Sequence, residues 1–429
     1  MTLDPIHVDA IARLAGSVAD TVDDTDHEEY ARRVWDNFLD PLVDSRGKTV
    51  VEPLGDRRRR CVDIDSVALT DRPFPTVHGI DSGTINPTAF KNGLVLDLAH
   101  AAMGVEPSNI ETHRSRSLVM TVHTADPSQI TEDGWISYDD DYSQYRLIRA
   151  PRVDMPYVEA VVHGLSLYFA ESHHALTHAD KVDDLLLLDG PLYPKEILTR
   201  WSQTPGLEDL VYEARPKRVL ENYIRLVEEF VDRGIPLAGF IKNPSARVIT
   251  RTIATKQMDF PMPWPNDTAF FTRLLEPYHH PDGEDDSVRA LSIGRRTEEL
   301  TFTSWFVSRG GPDETMAASG DALGVDRKLP NEAYEVTFCI IYDPRHDICY
   351  KLEAPYAVTK DEEVRQQLTT QMLSEVAAER GPPTAVTKAD ELARISAAEK
   401  QSLRRKFETQ FKSESLRTYD SIRWAGEDI

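Results

Sequence analysis

Two aspartates in this chain each end a short apolar run and open a turn. Asp81 follows Val77-His78-Gly79-Ile80 and precedes Ser82-Gly83, while Asp189 follows Leu185-Leu186-Leu187-Leu188 and precedes Gly190-Pro191. A buried strand ending in a carboxylate carries that group to the rim of its sheet, where open α/β sheets bind ligands. A charge placed there is costly unless it is paired or bound to a cation. Each aspartate alone could simply cap its turn; the matched pair points to a divalent metal. Hard cations such as Mg2+ and Mn2+ take oxygen ligands, so a strong site needs a third carboxylate. Glu159 and Glu171 both fall between the two strands, and Glu171, among Leu167, Tyr168 and Ala170, is the better candidate. Glu171, His174 and His178 also stand at i, i+3 and i+7, a series open to zinc or to a solvated helix end. Lys242, ending another apolar run, can reach a phosphate or be an ordinary surface lysine.

The elements that must position these groups follow from periodicity. Residues 8–44 carry a helical apolar pattern with an acidic break at 20–29. Strand-like runs at 76–81, 93–98 and 118–123, separated by Gly, Pro and Asn, predict a three-strand meander. An acidic loop at 125–141 precedes a helix that runs from after Pro156 to about His178. A leucine strand at 183–189, a helix at 216–233 and a strand at 235–241 follow, and this alternation predicts an α/β core with parallel pairing in its second half. The Pro- and aromatic-rich stretch 261–281 and the acidic 282–286 read as a surface excursion. Strands at 300–307, 336–342 and 349–352 and helices at 361–379 and 388–411 complete the chain. The expected organisation is a helical N-terminal segment over 1–60, a core with insertions over 61–358 and C-terminal helices over 359–429.

Composition narrows the function classes. Within 429 residues, 72 Asp and Glu oppose 49 Lys and Arg, a formal charge of −23. Such self-repulsion is relieved by screening at molar salt, so a halophilic source is expected, with an ordinary acidic enzyme as the other reading. No apolar run approaches the roughly 18 residues of a membrane span, and the start of the chain lacks a secretory pattern, so a cytoplasmic location is expected. Cys61, Cys339 and Cys349 have no CxxC spacing, which argues against a disulfide framework and a cysteine zinc site. Gly47-Lys48-Thr49 resembles the end of a P-loop, but Leu42 stands where its first glycine is required. Gly310-Gly311 runs into the acidic Asp313-Glu314, and no GxSxG elbow is present. The basic run Arg57–Arg60 suits a solvated face or a phosphate contact.

The ordered motifs Gly79-Ile80-Asp81-Ser82-Gly83, the helix with Glu171, Leu185 to Leu192, Ala238-Gly239-Phe240-Ile241-Lys242 and Lys351-Leu352-Glu353-Ala354-Pro355 resemble the archaeal NurA nucleases over roughly residues 75–400. The resemblance implies an RNase H-like fold and a Mn2+-dependent DNA nuclease acting on ends and single strands; the carboxylate set would also suit Mg2+ in place of Mn2+. It also implies a homodimer working with a HerA-type hexameric translocase in double-strand break processing. Carried over residue by residue, Asp81, Glu171 and Asp189 match the family's acidic metal ligands, and Tyr342 and His346 are the nearest matches to its late Tyr and His. The family places Gly directly after the first Asp, where this chain has Ser82 before Gly83. Three converging carboxylates would accommodate one or two divalent ions for in-line phosphodiester hydrolysis. Two readings from other classes stand beside this one. Asp81-Ser82-Gly83-Thr84 after a strand also fits the first phosphate motif of actin-like and sugar-kinase ATPases, and the fold could serve a non-catalytic DNA-end adaptor.

Overall fold

In the computed structural model, the described residues are 4–19, 27–125, 130–131, 134–138, 140–201, 204–208, 210, 213–256, 262–276, 278–279, 294–295, 297–317 and 324–417. The strands that build the molecule are β1 (Thr49–Pro53), β2 (Arg59–Asp63), β3 (Val77–Thr84), β4 (Val95–Glu106), β5 (Arg116–His123), β6 (Ser143–Arg149), β7 (Leu185–Asp189), β8 (Leu237–Ile241), β9 (Glu299–Thr303), β10 (Phe306–Ser308), β11 (Val336–Asp343) and β12 (Ile348–Pro355). The helices that matter to the site are α1 (Pro5–Ala19), α2 (His27–Phe38), α3 (Val158–Thr177), α4 (Ala214–Arg233), α5 (Glu362–Glu379), α6 (Thr384–Ala393) and α7 (Ala397–Phe411). One mixed sheet runs in the order β1-β10-β11-β12-β8-β7-β3-β4-β5-β6, with β9 joining β11 to β2. Among the described residues no helix is long and apolar enough to cross a membrane.

The part that carries the aspartates is β5-β4-β3-β7-β8. β3, β4 and β5 are antiparallel neighbours, and β7 and β8 run parallel to β3. The four leucines of β7 explain its central place, because a strand covered on both faces needs no polar alternation. Leu186 and Leu188 enter the core beneath α3 and α4, and Leu185 and Leu187 enter the core beneath α5 and α6. In the β3–β7 ladder Ile80 pairs with Leu188, so Asp81 and Asp189 are the next residues along two adjacent parallel strands.

Helix α6 lies unusually close to β3 and β4. A Cβ added to Gly83 would sit 1.9 Å from the Ala393 carbonyl oxygen, one on Gly79 2.3 Å from that of Ala385, and one on Gly104 2.5 Å from the Ala389 nitrogen. Glycines on the sheet and alanines at i, i+4 and i+8 on the helix let the two backbones touch.

Several elements differ from the expectations. Residues 388–411 form two helices rather than one: α6 ends at Ala393, and Ser396 opens α7 with a capping box to Glu399. The meander's second strand extends to Glu106 because Gly104 accommodates α6 instead of making a turn. β6 arises at 143–149, where no strand was expected. Residues 300–307 are two strands, β9 and β10. The expected helical segment 1–60 ends its helices at Phe38, and β1 and β2 then join the main sheet. The stretch read as a surface excursion forms a helix at Asp267–Leu275 whose Phe270, Phe271, Leu274 and Leu275 pack into a core with Trp35 and Phe306. Its Trp264, Phe270 and Phe271 are buried, not exposed; the acidic 282–286 lies outside the described residues.

Candidate active site

Asp81 and Asp189 point to the same face of the sheet, and on that face α6 presents Asp390. A carboxylate oxygen from each of Asp81, Asp189 and Asp390 lies within 4.8 Å of the others, and all three residues are partly buried. Burial first, and the neighbouring Asp189 second, push the Asp81 carboxyl up to about 7. Burial also raises Asp189, against the opposing pull of Lys242, whose Nζ stands 2.7 Å from Asp189 Oδ2. Arg394 reaches back from the end of α6 to Asp390 Oδ2 at 3.0 Å. The acids are gathered tightly enough to repel one another, and their cationic neighbours approach from the rim.

Glu171 is placed behind this cluster. On β3, Ile80 faces the α3 side, and Ser82, sharing its parity, does the same. Ser82 Oγ donates to Glu171 Oε2 at 3.2 Å, and Tyr223 of α4 donates to Oε1 at 3.0 Å. Burial, with Asp81 adding to it, pushes the Glu171 carboxyl up to about 8. Glu171 thus adjoins Asp81 through Ser82, and Asp390 takes the third position in the group that Glu171 was expected to complete.

Tyr342 and His346 are not brought to this place. The row of the sheet through Asp189 continues through Phe240, Leu352 and Cys339, so Tyr342 stands three strands across and three residues further along. Tyr342 is buried in the core near Phe306 and donates to Asp347 at 3.0 Å, while His346 is exposed in the β11–β12 turn. Their positions at the end of an apolar strand matched the expected motif, but that strand lies on the far half of the sheet. The histidine series is also dispersed into packing: His174 Nδ1 lies 3.0 Å from Ser117 Oγ, and His178 Nδ1 lies 3.0 Å from the His174 carbonyl oxygen. Among the described residues the group able to hold a metal contains no histidine.

The residue that sequence reasoning missed is Asp390. The available signal was the spacing Ala385, Ala389, Ala393 beside it, which marks a helix built to lie flush on another backbone.

A separate cavity of about 640 Å³ opens on the opposite face of the sheet, lined in part by Ile241, Phe338, Ile340 and Lys351. Its ionic lining includes Glu353 with Lys195, Lys351 and Asp313, and none of the three clustered aspartates borders it.

The NurA domain family matches residues 75–395, a span that includes β3, α3, β7 and α6. Among solved structures, the chain is similar to the NurA nuclease from Sulfolobus solfataricus, at 12% identity and a TM-score of 0.46, covering 96% of this chain and 98% of that one. A NurA bound to dAMP and manganese matches at 11% identity and a TM-score of 0.41, over 96% and 98% of the two chains. A NurA with manganese matches at 10% and 0.36, over 83% and 96%. A comparison with curated proteins finds no match. The family match extends over most of the chain and spans every element that contributes an acid to the cluster; the chain belongs to the NurA family of nucleases.

Proposed function

We propose that this chain is a Mn2+-dependent deoxyribonuclease that hydrolyses phosphodiester bonds at DNA ends and in single strands, using Asp81, Asp189 and Asp390. The observation that carries the reading is the convergence of three carboxylates, one just past the end of the parallel β3–β7 ladder on each strand and one on a helix held flush against them. The five-strand arrangement, an antiparallel meander followed by two strands parallel to its first, supports an RNase H-like core.

The donors fit the metal. Three aspartate carboxylates offer hard oxygen ligands, the set that suits Mn2+ and Mg2+. The rise of Asp81 to about 7 reflects a site that disfavours its own negative charge, which a cation reverses. When bound, a divalent cation supplies the charge that activates a water and stabilises the leaving oxygen of an in-line displacement. The chain's own residues do the rest. Tyr223 and Ser82 hold Glu171 in place behind Asp81. Lys242 offsets Asp189 and, with Arg394, places positive charge where the phosphate of a strand must arrive. Tyr342 and His346 have no part in this reading.

The wider role proposed is DNA end processing as a homodimer with a HerA-type hexameric translocase, in the cytoplasm of a halophilic cell. Family membership supports the partner, and the charge of −23 supports the halophilic setting. The test is to incubate the protein with end-labelled single-stranded and duplex DNA in Mn2+, in Mg2+ and in chelator, with ATP in a separate arm. Cleavage in Mn2+ that disappears in chelator and in Asp189→Asn is expected. ATP hydrolysis without DNA cleavage would favour the ATPase reading, and DNA binding without either would favour the adaptor.

A further inference from the structure

On the face of the sheet that carries the aspartate cluster, a groove of about 480 Å³ runs away from the end of α6, between α7 and strands β4 and β5. His100, Arg116, Arg394 and Lys406 line it. Its connection to the cluster is direct. Gly83 pairs with His100 and His100 with Leu118, so these residues share the face of Asp81, two residues along β3. Arg394 belongs to the groove and also holds Asp390.

The charge is informative because it runs against the chain's composition. On a molecule of charge −23, Arg116, Arg394 and Lys406 gather in one groove beside three aspartates. The acidic side chain among the lining residues, Glu399, is committed to the Ser396 capping box. Between the cations the surface is apolar: Leu98, Leu118 and Leu403 line the same groove. Cations that follow a backbone, with apolar surface between them, suit an unpaired strand, which offers base faces as well as phosphates; a duplex keeps its base faces stacked inside.

The geometry points to this groove as the track along which a single DNA strand lies as it passes to or from the aspartate cluster. This inference rests on the nuclease reading above, and names where the strand next to the scissile phosphate is held. Lys406 and Ser402, both exposed on α7, border the track without touching the cluster.

The test compares Lys406→Gln and Ser402→Glu with the unaltered protein in Mn2+. The substrates are single strands of about 4 and about 16 nucleotides, a duplex, and the small ester bis(p-nitrophenyl) phosphate. For the long strand, KM is expected to rise roughly threefold to tenfold with kcat unchanged. Lys406→Gln should also reduce the slope of log KM against log salt by about 0.7, one phosphate contact on a single strand. Hydrolysis of the ester and of the short strand should be unaltered. A second measurement needs no turnover: Ser402→Cys carrying a photo-crosslinker should label the long single strand in chelator. An unchanged KM for the long strand, or no crosslink, overturns the track. A rise confined to the duplex overturns its assignment to single strands. If the ester and all DNA resist Mn2+-dependent hydrolysis while the crosslink forms, the nuclease reading fails and the binding track stands.

Discussion

Two carboxylates in adjacent rows of one sheet have opposite surroundings. Asp189 shares a row with Phe240 and Leu352, and Glu353 shares the next row with Gly239 and Leu188, on the other face. Glu353 is fully buried but receives Lys195 at 2.5 Å, Lys351 at 2.6 Å and the Leu192 backbone N–H at 3.3 Å. Those two ammonium groups hold its carboxyl well below the usual range despite burial. Asp189 faces Asp81 and Asp390 and has Lys242 as its cation, and its carboxyl is raised. Burial alone therefore does not fix what an acid does. One acid is compensated by the fold itself and serves packing; the others are gathered in excess of their counter-charges and are completed by a cation from outside.

The sharpest way to break this comparison is to neutralise one acid on each side. Asp81→Asn, Asp189→Asn and Asp390→Asn should each lower Mn2+-dependent cleavage by about 10²–10³-fold, several kcal/mol of lost charge stabilisation. Each should leave the denaturant midpoint of the metal-free protein unchanged or raised, because a repelled charge has gone. Full activity in Asp390→Asn would return the third position to Glu171.

Glu353→Gln should do the reverse, sparing the cleavage chemistry and destabilising the protein by about 3–5 kcal/mol, since two ammonium groups lose their buried partner. Denaturant unfolding at neutral pH reads this directly. The pH dependence sharpens it further. A carboxyl whose folded pKa is depressed contributes stability that is fully present above its unfolded value, about 4.3, and lost as the pH falls through the folded value. The unaltered protein should therefore lose stability more steeply than Glu353→Gln on acidification below about pH 4. Parallel curves for the two proteins would show that Glu353 is not the compensated acid.

A smaller effect is expected where the aspartate cluster depends on packing. Gly83→Ala brings a Cβ against the Ala393 carbonyl and must lift the end of α6, costing about 1–3 kcal/mol and displacing Asp390. Cleavage should fall with it, and a fully active Gly83→Ala would show that the close approach of α6 does not position the acid. Tyr223→Phe should have the smallest effect, about 1 kcal/mol from one hydrogen bond to Glu171, with a modest loss of rate. A loss as large as that of Asp81→Asn would place Glu171 among the groups that hold the metal.

The paired aspartates, the leucine strand and the alternation around them were legible in the sequence because each depends on neighbours a few residues away. An apolar run sets a buried strand and the carboxylate that follows it; the turn expected at Ser82-Gly83 does not form, because both residues pair with β4 and Gly83 makes room for α6. Tyr342 fitted the same local description, since it too ends an apolar strand. What local description could not supply is which half of a long sheet that strand joins. The aromatic stretch that became the buried helix 267–275 misled for a related reason: proline and charge nearby suggested exposure, and only the partners Trp35 and Phe306 make burial favourable.

By itself, then, the sequence determined that Asp81 and Asp189 would each follow a buried apolar run and need a counter-charge; that the two runs lie side by side, and that β3 continues past Asp81 to Thr84, came from the fold. The tertiary structure alone decided which groups meet them. Asp390 is 201 residues beyond Asp189 and reaches it because glycines on β3 and β4 let α6 settle onto the sheet. Glu171 is kept one layer behind by Ser82 and Tyr223. Glu353 is matched to Lys195 across 158 residues. Charge compensation depends on distances of a few ångströms between segments far apart in the chain, and packing of one backbone against another sets those distances.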